Sequence, residues 1–395
     1  MTLWITNVLI NGERRSIRLH QGKITYLGQI SSVYSEKQMD GEGCWLLPGL
    51  INAHDHLGLN LLPHLGNPPY ANSEEWGKAV YQPDRSPIRE IWELSYWERL
   101  LWGAYRNLLS GVTTVQNHDR AHRQLGSLPI QVPAYRWCHR PGSKLKGWYG
   151  WARHAPFFIH AAEGTDEASY REINQLHQQG KLGPRTVLIH GIALKPKDIE
   201  VLAQTDTGLV WCPSSNQFLY GQTAPIKALR KAGITLALGT DSTASGPDTL
   251  LAELQTVRGL LPDAELMAMV TTNAARLLGV PERGQLRVGS PADLLLIYSP
   301  GASSAAEALL TCSPQDIRLV LVRGMPALVR APFIESFPST RLSPVNVNGE
   351  LTMLEGPISS LLKRTRQLLG ERLYFGQHIE PSPLISSPVK REQGQ

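Results

Sequence analysis

The sequence predicts an α/β protein: parallel strands separated by helices, inserted into a small β domain that both ends of the chain build together. Three observations carry this expectation. Between about residues 49 and 283, apolar runs of strand length take turns with helix-like stretches, the pattern of strand–helix–strand units. Several of those runs finish on His or Asp, and in (β/α) arrays the C-terminal strand ends meet in space however far apart they lie in sequence. Alternating apolar and polar runs occur before residue 30 and again after Gly284, and neither group makes a stable fold alone.

In chain order, residues 4–10, 16–19 and 23–27 read as antiparallel strands parted by the turn pairs Asn11-Gly12 and Gln21-Gly22. Their partners are expected downstream, in 284–289, 292–297 and 318–324. Residues 47–56 are an apolar run that stops at two histidines. After a polar, Pro-rich loop, Ser86-Pro87 opens a long helix that Gly111 closes; Ser caps well and Pro suits the first helical position. Further strands are expected over 112–118, 130–139, 156–160, 186–190, 208–213 and 235–241, with helices over 166–179, 197–204 and 226–231. Beyond Pro332, an amphipathic helix over 359–369 precedes a polar, Pro-containing end expected to be disordered.

Composition sets the outer bounds. A chain of 395 residues allows one α/β barrel of about 250 residues and something smaller. Net charge is +5 and the sequence pI about 9.0, but Lys and Arg are spread along the chain, which argues against a nucleic-acid partner. Cys44, Cys138, Cys212 and Cys312 are scattered with no CxxC pair, so neither a disulfide framework nor a cysteine zinc cluster is expected. No basic, then apolar leader opens the chain and no apolar stretch spans a bilayer. The expected location is the cytoplasm, away from membranes, and a homo-oligomer is allowed.

The residues 54–56 are His-Asp-His. In an extended chain i and i+2 point to one side, so His54 and His56 can aim both imidazoles at one point while Asp55 faces away. Two converging neutral imidazoles are natural ligands for a divalent transition metal. A lone HxH is better explained by chance or a hydrogen-bonded pair in the core, so the weight falls on the rest of the chain.

That remainder carries a family likeness. Pro48-Gly49-Leu50-Ile51-Asn52-Ala53-His54-Asp55-His56, Gly111-Val112-Thr113-Thr114-Val115, His160-Ala161-Ala162-Glu163, His190, Cys212-Pro213-Ser214-Ser215-Asn216, Gly239-Thr240-Asp241-Ser242, Thr272-Asn273-Ala274-Ala275-Arg276-Leu277-Leu278-Gly279 and Gly289-Ser290-Pro291-Ala292-Asp293-Leu294 follow in order. In this the chain, up to about Gly324, resembles the amidohydrolase superfamily, within it the branch of cytosine, guanine and S-adenosylhomocysteine deaminases and triazine hydrolases. The resemblance implies a metal-dependent TIM-like (β/α) barrel over 49–283 beside a composite β-sandwich from 1–48 and 284–332, with 333–395 as a C-terminal extension. It also implies one divalent metal, zinc in the first place and iron in the second, bound by His54, His56, His160 and Asp241. Glu163 is then a proton shuttle, His190 a catalytic histidine, and Asp241 a second proton acceptor. One departure is visible: about forty residues separate His118 from His160, where the family fits two more strand–helix units. One unit is shortened or missing, and 140–154 is its expected place.

The chemistry expected of this set is hydrolytic attack by a water that a metal activates, most simply the removal of ammonia from an amino-substituted nitrogen heterocycle. Opening a lactam or imidazolone and displacing chloride from a triazine are the alternatives, and a catalytically silent metal scaffold is the non-enzyme alternative. A binuclear centre would need a carboxylated lysine, for which Lys144 and Lys146 are the candidates. The zinc deaminases that use PCxxC are excluded because the chain has none. His64 and His118 are open between lining the mouth and lying in loops. Trp76, Trp137, Trp148 and Trp151 are candidates for stacking on a planar substrate, whereas Trp92, Trp97 and Trp102 read as packing.

Overall fold

The computed structural model describes residues 2–29, 36–143, 147–149, 154–338 and 340–382. The N-terminal strands are β1 (Thr2–Ile10), β2 (Glu13–His20), β3 (Lys23–Gly28), β4 (Gln38–Asp40) and β5 (Trp45–Pro48). Left-handed backbone at Asn11 and Gly12 (φ 52° and 81°) makes the tight turn that folds β2 back on β1. Then come β6 (Leu50–Asp55), β7 (Val112–Asn117), β8 (Tyr135–Cys138), β9 (Gly147–Tyr149), β10 (Phe157–Ala161), β11 (Thr186–His190), β12 (Gly208–Trp211) and β13 (Leu236–Leu238). The chain closes with β14 (Leu294–Ile297), β15 (Ile317–Val322), β16 (Met325–Arg330), β17 (Leu342–Val347), β18 (Glu350–Glu355) and β19 (Ile379–Pro381).

Both ends enter one sheet, 11-stranded among the described residues, in the order β19-β17-β18-β16-β15-β14-β5-β1-β2-β3 with β4 on β1. Its junction is the antiparallel pair β14 and β5, Leu294 opposite Pro48 and Ile297 opposite Trp45. β14 is four apolar residues without exposed surface, as befits a strand covered on both faces. Leu294 and Leu296 pack with Leu3, Ile5, Leu319 and Leu321, while Leu295 and Ile297 join the larger core, the alternation that a strand imposes. Residues 284–289, expected as a strand, form turns instead; contact with β3 is made by the bridge between Lys23 and Pro291.

The strands between the ends are parallel. β13-β12-β11-β10-β8 form one array with β9 antiparallel at its edge, and β6 pairs with β7. The two groups are joined on both sides. Thr240 N and Asp241 N, just past β13, donate to His54 O at 3.0 and 3.2 Å, and Val115 N and Gln131 O, before β8, are 2.9 Å apart. Ile51, Phe158, Val187, Val210 and Ala237 pack together from five of these strands. Between β7 and β10 there is the one parallel strand β8 and a short 3-10 turn at Leu125–Ser127, among the described residues, which is the expected shortening.

The long helix expected from residue 86 is two helices, Ile88–Trp92 and Tyr96–Leu108. The break is chemical: Ser95 caps the second helix by accepting from Glu98 N while Glu98 accepts from Ser95 N, a capping box that ends the first helix before it. The helices Pro196–Gln204 and Ile226–Lys231 lie where the pattern places them. Glu172–Gln178 is shorter than expected, its first turn being the 3-10 segment Ser169–Arg171. Among the described residues no helix is long and apolar enough to cross a membrane, and the four cysteines are buried and free.

The segment after 333 adds β17, β18, β19 and the helix Ile358–Leu369. Trp102, fully buried, donates through Nε1 to Thr365 Oγ1 at 2.8 Å and stacks on Tyr374 at 4.4 Å and 3°, so this segment is packed against the helix that supports the site. Residues 383–395, expected to be disordered, lie outside the described residues.

Candidate metal centre and active site

The ends of β6, β10, β11 and β13 bring together the side chains singled out in the sequence. His54 Nε2 and His56 Nε2 lie 3.6 and 3.5 Å from the same oxygen, Asp241 Oδ1. His160 Nε2 lies 3.3 Å from His54 Nε2. Ligand atoms of His54, His56 and Asp241 fall within 4.8 Å of one another, as do those of His54, His160 and His190. All five side chains are buried. Close approach depends on Gly239, where a Cβ would come within 2.6 Å of the His54 Cβ; any larger residue would force β13 and β6 apart. His190 and Asp241 have left-handed backbones (φ 74° and 54°), a conformation that costs non-glycine residues about 1–3 kcal/mol and collects at functional sites.

Charge states follow from burial and partners. Burial pushes the His54 pKa down to about 4 and holds His160 well below the usual histidine range, so both rings are neutral near pH 7. Burial alone would raise Asp241, but His54, His56 and His190 hold its carboxyl well below the usual carboxylate range. Asp241 is therefore an anion, oriented by Ser215 Oγ and Ser245 Oγ, which donate to Oδ2 at 2.8 and 3.0 Å and leave Oδ1 facing the histidines. His54 Nδ1 lies 3.4 Å from Gln116 Oε1, whose amide nitrogen donates to Asn117 O; this assigns the His54 proton to Nδ1 and a lone pair to Nε2. The lone pair of His54 Nε2 beside the Asp241 carboxylate, with the Nε2 atoms of His56 and His160 close by, fits a divalent cation.

Glu163 stands next to this group. Its Oε1 accepts from Tyr220 Oη at 2.8 Å and lies 3.5 Å from His190 Nε2, and its Oε2 lies 3.9 Å from His160 Nδ1. His190 Nδ1 is 2.8 Å from Asn216 Oδ1, and the Asn216 amide faces His190 O and Thr223 Oγ1. The proton on His190 is thereby assigned to Nδ1, so Nε2 meets Glu163 with a lone pair and the pair has room for one shared proton.

Sequence reasoning quoted Cys212-Pro213-Ser214-Ser215-Asn216 without giving its residues tasks. Pro213 starts the helix Pro213–Tyr220, whose first turn presents Ser215 to Asp241 and Asn216 to His190, and whose last residue, one turn beyond Asn216, presents Tyr220 to Glu163. Ser214 instead holds Glu253 through both its N (3.1 Å) and Oγ, and burial raises that carboxyl to about 7.

Arg106 was also missed. Its guanidinium, fully buried, donates to Asp55 Oδ2 (3.2 Å), Asn60 Oδ1 (2.7 Å), Asp241 O (3.0 Å) and Asp248 O (2.9 Å). Asp55, turned away from His54 and His56, also accepts from Asn107 at 2.7 Å and Asn60 at 2.7 Å. One side chain thus ties the HxH strand to the loop that carries Asp241. Arg106→Met is expected to lower stability by about 3–5 kcal/mol, the usual cost of removing one partner from a buried ion pair, and to loosen metal. Thermal unfolding and metal content of the purified variant check this; a Tm within a few degrees of the parent's would show that the network is not structural.

The remaining candidates divide. His118 is buried in the cluster, its ring 4.3 Å from that of His160. His64 lies apart, its Nε2 donating to Gly246 O at 2.8 Å. Trp76 is tied to Leu65 O at 3.0 Å and packs into the core, whereas Trp137 is buried 5.1 Å from His118. The side chain of Trp148, and Trp151, Lys144 and Lys146, lie outside the described residues.

The chain is similar to several known proteins. The 5-methylthioadenosine/S-adenosylhomocysteine deaminase of Halobacterium salinarum is 30% identical, over 77% of this chain and 85% of that one, and the same enzyme of Syntrophobacter fumaroxidans is 26% identical, over 78% and 87%. An 8-oxoguanine deaminase of Pseudomonas aeruginosa is 34% identical over 44% of each chain. In fold, the chain is similar to a zinc-bound adenosine deaminase of Xanthomonas campestris (TM-score 0.67, 18% identity, 93% of this chain and 97% of that one). It is equally similar to a zinc-complexed atrazine chlorohydrolase of Arthrobacter aurescens (TM-score 0.67, 18% identity, 93% and 99%). The model of the amidohydrolase family matches residues 151–351, and with these relatives it shows that the chain belongs to the amidohydrolase family.

Proposed function

We propose that the protein is a metal-dependent hydrolase of carbon–nitrogen bonds that removes ammonia from an amino-substituted nitrogen heterocycle. The observation that carries this is Glu163, a buried carboxyl group held by Tyr220, faced by His190 and adjacent to the ligand cluster. We infer that His54, His56, His160 and Asp241 hold one divalent ion, zinc before iron. Neutral imidazoles with one carboxylate suit zinc, and zinc is bound in the two solved relatives. The ion, when bound, supplies a water of lowered pKa as nucleophile at neutral pH.

The chain's own residues do the proton work. Asp241 Oδ1 and His190 Nε2 border the place where the nucleophile must stand and can orient it and accept its proton. Addition at an aromatic C–NH2 carbon puts negative charge on the neighbouring ring nitrogen. Glu163 delivers there the proton it shares with His190, and the proton that Asp241 and His190 take from the nucleophile goes to the departing amino group. Tyr220 fixes the carboxyl in place for its transfer. Chloride departs without a proton, so a chlorohydrolase would use Glu163 at the ring nitrogen alone; lactam opening needs a proton on the amide nitrogen and is the second reading.

We also infer that β6, β7, β8, β10, β11, β12 and β13 close as a barrel with one unit fewer than the family's eight. The hydrogen bonds that join the two parallel groups support this. The division into a composite β domain, 1–48 with 284–332, and a site-bearing part, 49–283, rests on the β14–β5 junction.

The test is ammonia release from a panel of aminopurines, aminopyrimidines, lactams and halogenated triazines, with metal measured on the same preparation. Deamination of a ring is the expected outcome. Efficient turnover to ring-opened products without free ammonia would replace the deaminase reading with the lactam one.

A further inference from the structure

We propose that a second divalent transition-metal ion binds beside the first, held by His118 and His139, with His160 bridging the two ions as an imidazolate once its ring proton is released to solvent. The missing strand–helix unit creates the place. With β8 the single parallel strand between β7 and β10, the ends of these three strands become neighbours, and each carries a histidine: His118 follows β7, His139 follows β8, and His160 lies in β10. Ligand atoms of the three lie within 4.8 Å of one another.

His118 has the surroundings of a ligand. Its ring has no exposed surface, and Nε2 donates to Cys138 O at 3.3 Å, which leaves Nδ1 with a lone pair. That Nδ1 is buried and has no hydrogen-bond partner among the described residues. A ring N–H fixed by a backbone carbonyl with the other nitrogen bare is the usual second-sphere arrangement of metal-bound histidine. A second buried atom nearby is also unsatisfied: Trp137 Nε1, whose ring lies 5.1 Å from His118 and 5.3 Å from His139. An unpaired buried lone pair is costly, and at His118 Nδ1 a cation would satisfy it; the Trp137 N–H is a donor and does not ligate.

The donor set decides the class of ion. Three imidazoles and no carboxylate favour late first-row divalent metals over Mg2+ or Ca2+. The rings of His118 and His160 are 4.3 Å apart, and the exposed His139 gives an ion access from solvent. The shared His160 also faces His54, so the second ion binds less tightly than the first.

The test is titration of the metal-free full chain with Co2+ and with Zn2+, followed by visible absorption and equilibrium dialysis. Two equivalents are expected for the parent, the second at least about tenfold weaker, and one for His118→Gln and for His139→Ala. His139 is exposed, so its variant tests the site even where the buried substitution disturbs folding. Saturation of the parent at one equivalent in excess Zn2+ would overturn the proposal, as would a second equivalent retained in His139→Ala. The proposal rests on the single-ion reading of the His54 centre only for the count: loss of the first, tight equivalent would strike that reading instead.

Discussion

Glu163→Gln is expected to lower kcat by about 10²–10⁴-fold, the usual contribution of a general acid–base group, while the tight metal equivalent stays bound. The substitution keeps shape and can still accept from Tyr220 Oη, 2.8 Å away, so the site should hold its form. What it removes is the carboxyl proton exchanged with His190 Nε2, at 3.5 Å. KM should change little, because in the proposed mechanism Glu163 acts on charge that develops during the reaction and not on the bound substrate. Steady-state kinetics on whichever heterocycle the panel identifies, with metal content and circular dichroism on the same sample, decide the matter. Full activity in this variant would reduce Glu163 to a packing partner of Tyr220.

Much of the fold is written in short-range signals. Asn11-Gly12 gives the first hairpin because only residues that tolerate positive φ make a two-residue turn. The strands over Thr186–His190 and Leu236–Leu238 stand out as β-branched and apolar runs bounded by turns. The same signal was present and unread at Asn348-Gly349, the turn between β17 and β18 with φ of 52° and 83°. Pro344 and the polar residues around it masked the alternation there. The break at Glu93–Ser95 was less accessible, because residues 88–108 are apolar at helical spacing throughout and only Ser95 with Glu98 marks a new start.

At the site, each residue that ends an apolar strand is visible in the sequence, since a His or Asp at such a place has few other reasons to be buried. Residues that act on those side chains are less legible. Ser215, Asn216 and Tyr220 lie on one short helix, and nothing in their spacing says that three different strand ends will face it. Arg106 sits among Leu, Trp and Tyr in the helix Tyr96–Leu108; a charged residue in such a stretch asks for a buried partner, and Asp55, the residue turned away between the two histidines, is that partner. Pairing them needs the distance between helix and strand, which is a tertiary fact.

The double substitution His54→Ala/His56→Ala is expected to strip the tight metal equivalent and lower the rate by about 10⁴-fold or more, because activation of water by a divalent ion shifts its pKa from about 15.7 towards about 7. The loss should exceed the removal of two ligands. Asp241 remains a carboxylate against the cost of burial because His54, His56 and His190 oppose that cost. With two of the three gone, the Asp241 carboxyl shifts upward, the direction in which burial already pushes it, and its hold on an ion weakens. Ser215 Oγ and Ser245 Oγ, both donating to Oδ2, would hold the loop in place. The variant should therefore fold, and metal analysis of the folded protein gives the answer. Near-stoichiometric tight metal in it would remove His54 and His56 from the ligand set and move the centre toward His160 and His190.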